Sequence, residues 1–134
     1  MERICLQAAI VFCALVLLAV GLSGVLLGSK FLHGGESASA DNFFRFLSAI
    51  AAGMGVMYIT TLPRIEIHGE RMSTLSFLIV AGGLAHLYGF ILRPTPSFGT
   101  LIALVMELIV VPLVWLGQRH VAHKAARAAQ LAPA

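Results

Sequence analysis

The sequence predicts an all-α integral membrane protein, a four-helix bundle. Three observations predict it. The 134 residues are 59% hydrophobic and 11% charged, with a mean hydropathy of +0.93, whereas a soluble domain carries about 25% charged residues. A soluble chain this short cannot hide so much apolar surface, so lipid must be its solvent. The apolar residues also fall into four runs, each close to the 20 or so residues that cross a roughly 30 Å hydrocarbon core at 1.5 Å per residue.

After the charged start Met1–Arg3, the first helix spans about residues 4–27, interrupted only by Gln7 and Ser23. A signal peptide is the competing reading, because Ala38-Ser39-Ala40 resembles a cleavage site. A signal core runs about 7–15 residues, however, and this run is far longer, so it reads as a retained helix. Gly21, Gly24 and Gly28 share a face, and Gly24-x-x-x-Gly28 allows close helix packing. Cys5 and Cys13 lie eight positions apart, about 12 Å along a helix and beyond disulfide reach. They read as small buried hydrophobes.

A polar loop with Gly34-Gly35 leads to the second helix, about 42–61, with Asp41 or Asn42 as its N-cap. Arg45 sits one turn in, and Ser48, Ala49, Ala52 and Gly55 make a stripe of small residues suited to helix packing. Pro63 ends this helix, and a charged loop runs to Arg71. The third helix spans about 72–92, with Ser73 or Thr74 near its start. On it, Gly82, His86, Gly89 and Arg93 recur at steps of four, three and four and so share one face. Arg93-Pro94-Thr95-Pro96 forces a stiff turn. The fourth helix spans about 98–117, with Trp115 as an interface anchor. Residues 1–118 thus form one transmembrane domain. Residues 119–134 form a basic cytoplasmic tail, helical at first and fraying towards Leu131.

The fourth helix carries one acid, Glu107, near its middle. A charge at that depth costs on the order of 3 kcal/mol on insertion scales, so Glu107 should face protein or trapped water. Five residues on, Pro112 has no N–H, which leaves the Leu108 carbonyl without its usual helical donor. Arg45, His86, Arg93 and Glu107 all fall in the outer half of the bilayer when depth is counted at 1.5 Å per residue. Glu107 with His86 or Arg45 is the natural pairing. The orientation behind this count comes from the basic residues. Arg3, Arg64, Arg71, Arg119, Lys124 and Arg127 fall on one side, against Lys30, Arg45 and Arg93 on the other. The positive-inside rule then puts both termini in the cytoplasm.

The positive net charge of +3 does not point to nucleic acid, because the basic residues sit in loops and the tail. No zinc spacing occurs. His120 and His123 without a carboxylate read as a solvated or headgroup-facing helix face, and no metal or other cofactor is expected.

Several stretches carry a resemblance. They are Phe44-Arg45-Phe46-Leu47-Ser48, Gly82-Gly83-Leu84-Ala85-His86, Pro96-Ser97, and Glu107-Leu108-Ile109-Val110-Val111-Pro112. In this order and spacing the chain resembles an uncharacterised family of small bacterial inner-membrane proteins, a domain of unknown function with a DoxX-like four-helix plan, over about Ile4 to Gln118. The resemblance implies four helices in a bacterial inner membrane and no assigned reaction. In that family the position of His86 is more often arginine, so a role needing a fixed positive charge does not carry over.

Three function classes follow. The first is a structural, accessory or lipid-binding membrane protein, supported by the small-residue stripes and an incomplete catalytic set. The second is a small membrane enzyme acting on a lipophilic substrate in an outer-leaflet cavity, with Glu107 as acid or base and His86 as its partner. The third is a proton or ion pathway, which wants further acids in line; the inner half offers only Gln7. The partners expected are membrane lipids, with another membrane protein or a lipophilic small molecule as alternatives.

Overall fold

A computed structural model describes residues 2–32, 37–92 and 97–131, with the side chains of 31 and 32 left aside. Among these residues every regular element is helical: α1 (Glu2–Leu27), α2 (Ala38–Thr61), α3 (Gly69–Leu92), α4 (Phe98–Val105) and α5 (Val111–Leu131). A π-helical turn, Met106–Val110, joins α4 to α5 without a break. Short 3-10 turns occupy Gly28–Leu32 and Leu62–Arg64. Four stretches are long and apolar enough to cross a membrane: Glu2–Lys30, Ala38–Arg64, Gly69–Leu92 and Phe98–Leu131. Phe12, Leu26, Phe77, Leu84, Ile91 and Leu113 lie on their outer faces, each more than half exposed. That much apolar surface suits lipid and not water. The chain is a multi-pass membrane protein.

The chain divides into two compact units, Ile10–Thr60 and Met1–Ala9 with Thr61–Ala134. In the first, α1 and α2 pack backbone to backbone. A Cβ at Gly21 would come within 2.6 Å of the Ala52 nitrogen and 2.7 Å of the Ser48 carbonyl oxygen. One at Gly24 would strike the Ser48 side chain, and one at Gly55 would lie 3.0 Å from the Ala14 carbonyl oxygen. Gly21, Gly24, Ser48, Ala52 and Gly55 therefore do what small residues do at a helix contact. Gly28 leaves room for the Asp41 carboxylate and the Arg45 guanidinium, which a Cβ would strike, and it also acts through its backbone. At φ 61° it leaves α1 in the left-handed region, where only glycine is unstrained.

Helix α2 starts at Ala38, four residues earlier than Asn42, because Ser37 caps it. The Ser37 hydroxyl accepts from the Ala40 N–H at 3.3 Å, and its carbonyl accepts from Asp41 N–H at 3.0 Å. Asp41 is thereby freed from capping. It accepts from the Ser29 N–H at 2.7 Å and the Ser29 hydroxyl at 3.0 Å, and from Arg45 Nε at 2.7 Å. Arg45 Nη1 donates to the Val25 and Leu26 carbonyls at 2.5 and 3.2 Å, two of the orphan acceptors at the end of α1.

In the second unit, the connection before α3 is ordered from within. Gln7 donates to the Leu62 carbonyl at 3.0 Å, Arg3 pairs with Glu66 at 2.7 Å, and Gln118 donates to the carbonyl of buried Ile65 at 2.9 Å. Helix α3 begins at Gly69, three residues before Met72. Ser73 and Thr74 therefore lie inside it and return hydrogen bonds to the Gly69 and Glu70 carbonyls at 2.9 and 3.0 Å. Helix α5 does not end near Gly117. It runs to Leu131, since Gly117 keeps a right-handed backbone and Ala, Arg, Lys and Gln after it are strong helix formers. Lys124 holds the extension to Glu2 at 2.6 Å.

Candidate functional site

The acid near the middle of the fourth span sits at an irregularity of its helix. Ser97 starts α4, its hydroxyl accepting from the Thr100 N–H at 3.1 Å. At Met106–Val110 the α pattern widens, and the Val111 N–H donates to the Met106 carbonyl, five residues back. The cause lies one residue on. Pro112 brings no N–H, and its ring would clash with the Leu108 carbonyl in a regular α-helix. A π turn moves that carbonyl aside, and such turns recur at functional sites. Glu107 is the second residue of the widened turn.

Helix α3 packs on this turn through Gly83. A Cβ there would lie 2.8 Å from Glu107 Cβ and 2.8 Å from Leu108 Cδ2, closer than real contacts allow. Gly83 is thus a seat for the π turn. One turn further along α3, His86 Nδ1 meets Glu107 Oε2 at 3.3 Å. The two side chains keep 44% and 28% of their surface exposed, so the pair is open on one side. Chemically it can hold a proton on either partner, as imidazolium with carboxylate or as neutral imidazole with carboxylic acid.

The sequence also grouped Arg45 and Arg93 with these two residues. Arg45 belongs to the other unit, and its guanidinium is taken up by Asp41 and two α1 carbonyls. Arg93 lies outside the described residues. Gly82 and Gly89 share the face of His86, but a Cβ at either would meet no atom within 4 Å among the described residues. The close approach falls on Gly83 because the contact is centred on the π turn and not along the Gly82–Gly89 stripe. Sequence reasoning gave Asp41 only a capping role and Gly83 no packing role. For Asp41 a signal existed, since Asp41 and Arg45 are an i,i+4 pair of opposite charge. Among the described residues no group of three metal-ligating side chains occurs. Cys5 is exposed and Cys13 buried, both as free thiols.

Residues 5–118 match the family model described as Domain of unknown function (DUF4345), so the chain belongs to that family. No curated protein and no solved structure matches it.

Proposed function

As a member of the DUF4345 family the chain inherits no assigned activity, and we propose that it serves as a lipid-binding or accessory protein of a bacterial inner membrane. On this reading both termini are cytoplasmic and the four spans close into a bundle of DoxX-like plan. The observation that carries it is the His86–Glu107 pair at 3.3 Å, seated on Gly83. The two groups are each other's partners, and the acid has no nucleophile beside it in a described contact. Such a pair fixes the register of α3 against the fourth span and leaves the lipid-facing surface to make the functional contacts.

The π turn supports a second reading, in which Glu107 is acid or base towards a lipophilic substrate. One experiment weighs both. The protein is purified in mild detergent from cells expressing wild type or Glu107→Gln, and bound lipids and proteins are identified by mass spectrometry. The accessory reading expects a defined lipid or membrane protein to co-purify with wild type. A stable Glu107→Gln protein whose cells accumulate an unconverted lipophilic compound would replace it with the enzymatic one.

A further inference from the structure

Away from the His86–Glu107 pair, the second unit holds a groove of about 740 Å³ between the start of α3 and the middle of α5. Glu66, Gly69, Glu70, Gln118, Arg119 and His123 are among its walls. Its charges are not matched internally. Glu70 is exposed and makes no ion pair among the described residues, while Glu66 is occupied by Arg3. Across the groove, Arg119 stacks over Trp115 at 5.1 Å and has no carboxylate partner among the described residues. His123 beside it has none either. An acid and a guanidinium, neither with an ion-pair partner among the described residues, therefore line one space without pairing with each other.

The floor of the groove adds an independent observation. Gln118 is fully buried, and its amide nitrogen donates to the Ile65 carbonyl, but Oε1 accepts no hydrogen bond among the described residues. Buried acceptors are almost always satisfied, so this one asks for a donor. Gly69 lies over it, and a Cβ there would sit 3.8 Å from Oε1. Tryptophan is enriched where spans meet water, and the indole of Trp115 donates to the Ser73 hydroxyl at 2.9 Å, with Ser73 lining the groove.

The geometry points to a binding site for an amine-bearing phosphate ester, a phosphoethanolamine-type headgroup. Its ammonium donates to Glu70 and the Gln118 Oε1, and its phosphate takes Arg119 and His123. A choline headgroup has no N–H to give Gln118, and a glycerol headgroup brings no cation for Glu70. This assignment rests on the membrane reading of the chain but not on the His86–Glu107 pair.

Trp115 is the single tryptophan of the chain, and Arg119 stacks on it, so its fluorescence reports the site directly. The full-length protein in detergent micelles is titrated with short-chain phosphatidylethanolamine, phosphatidylcholine, phosphatidylglycerol and free phosphoethanolamine. A saturable change with phosphatidylethanolamine is expected, weakened by about tenfold in Glu70→Gln and in Arg119→Gln, as loss of one charge-assisted hydrogen bond implies. Because Arg119→Gln alters the fluorophore's surroundings, native mass spectrometry of lipid adducts repeats the comparison without it. Both substitutions are at exposed positions, so folding is preserved. Free phosphoethanolamine binding as well as the lipid identifies a soluble ligand of the same chemistry; binding only of the lipid identifies a membrane one. An equal response to all three lipids, or binding untouched by both substitutions, overturns the assignment. Glu107→Gln leaves this titration unchanged, which separates a failure here from a failure of the function proposed above.

Discussion

At the scale of single residues, the informative question is what holds Glu107. An ionised acid without a partner at this depth costs on the order of 3 kcal/mol, and His86 is the partner found at 3.3 Å. Removing either alone strands the other, whereas removing both together leaves only apolar packing to adjust. His86→Leu and Glu107→Leu should each lower the melting temperature in detergent. The double variant should melt higher than the sum of the two losses predicts. Strict additivity would mean that the two groups do not interact. Gly83 makes a sharper case, since its missing Cβ is what lets Glu107 and Leu108 approach. Overpacking a close contact costs about 1–3 kcal/mol. Gly83→Leu should therefore destabilise the protein clearly, and Gly82→Leu, which points at no described atom within 4 Å, should not. Equal melting temperatures for the two would place the contact elsewhere.

At the scale of elements, the π turn and the glycine faces separate what the sequence revealed from what it hid. The four apolar runs were legible because hydropathy over about 20 residues is a strong signal. Gly21 and Gly24 were legible because a small residue every few positions marks a helix contact. The widened turn at Met106–Val110 was not. Pro112 showed only that a hydrogen bond would be lost, and whether a helix kinks, frays or inserts a π turn depends on the neighbour it packs against. Helix ends were misplaced for similar reasons. Asp41 looked like a cap and instead serves Ser29 and Arg45, and Gly117 looked like a stop while α5 continues to Leu131. The π turn yields its own prediction. Replacing Pro112 by alanine restores an N–H and removes the ring clash, so the segment can return to α geometry. One residue of slip rotates Glu107 by about 100° relative to α5. In the Pro112→Ala background the His86–Glu107 coupling, measured by the same double-variant cycle, should fall towards zero. Coupling of the original size would show that Pro112 does not maintain the turn.

At the scale of the whole molecule, the spans and their ends determine which way the chain runs. The last span is continuous from Phe98 to Leu131, 34 residues, or about 50 Å at 1.5 Å per residue. The hydrocarbon core takes roughly 30 Å of that, so the end of α5 must stand outside it. That protruding part carries Arg119, His120, His123, Lys124 and Arg127, and Lys124 is tied to Glu2 at 2.6 Å. The N-terminal end of α1 and the extension of α5 are therefore on the same side of the membrane, together with the Leu62–His68 connection that Arg3 and Gln7 contact. An even number of spans requires this. On the proposed orientation six basic residues fall with the termini against three opposite, and the positive-inside rule then expects the termini in the cytoplasm. Reporter fusions after Ser37 should read periplasmic, and fusions after Gly69 and Ala134 cytoplasmic. Changing Arg119, Lys124 and Arg127 to glutamine should weaken that bias, because lysine and arginine close to span ends set orientation. A cytoplasmic signal at Ser37 in the unaltered protein would invert the proposed orientation, and with it the expected outer-half placement of His86 and Glu107.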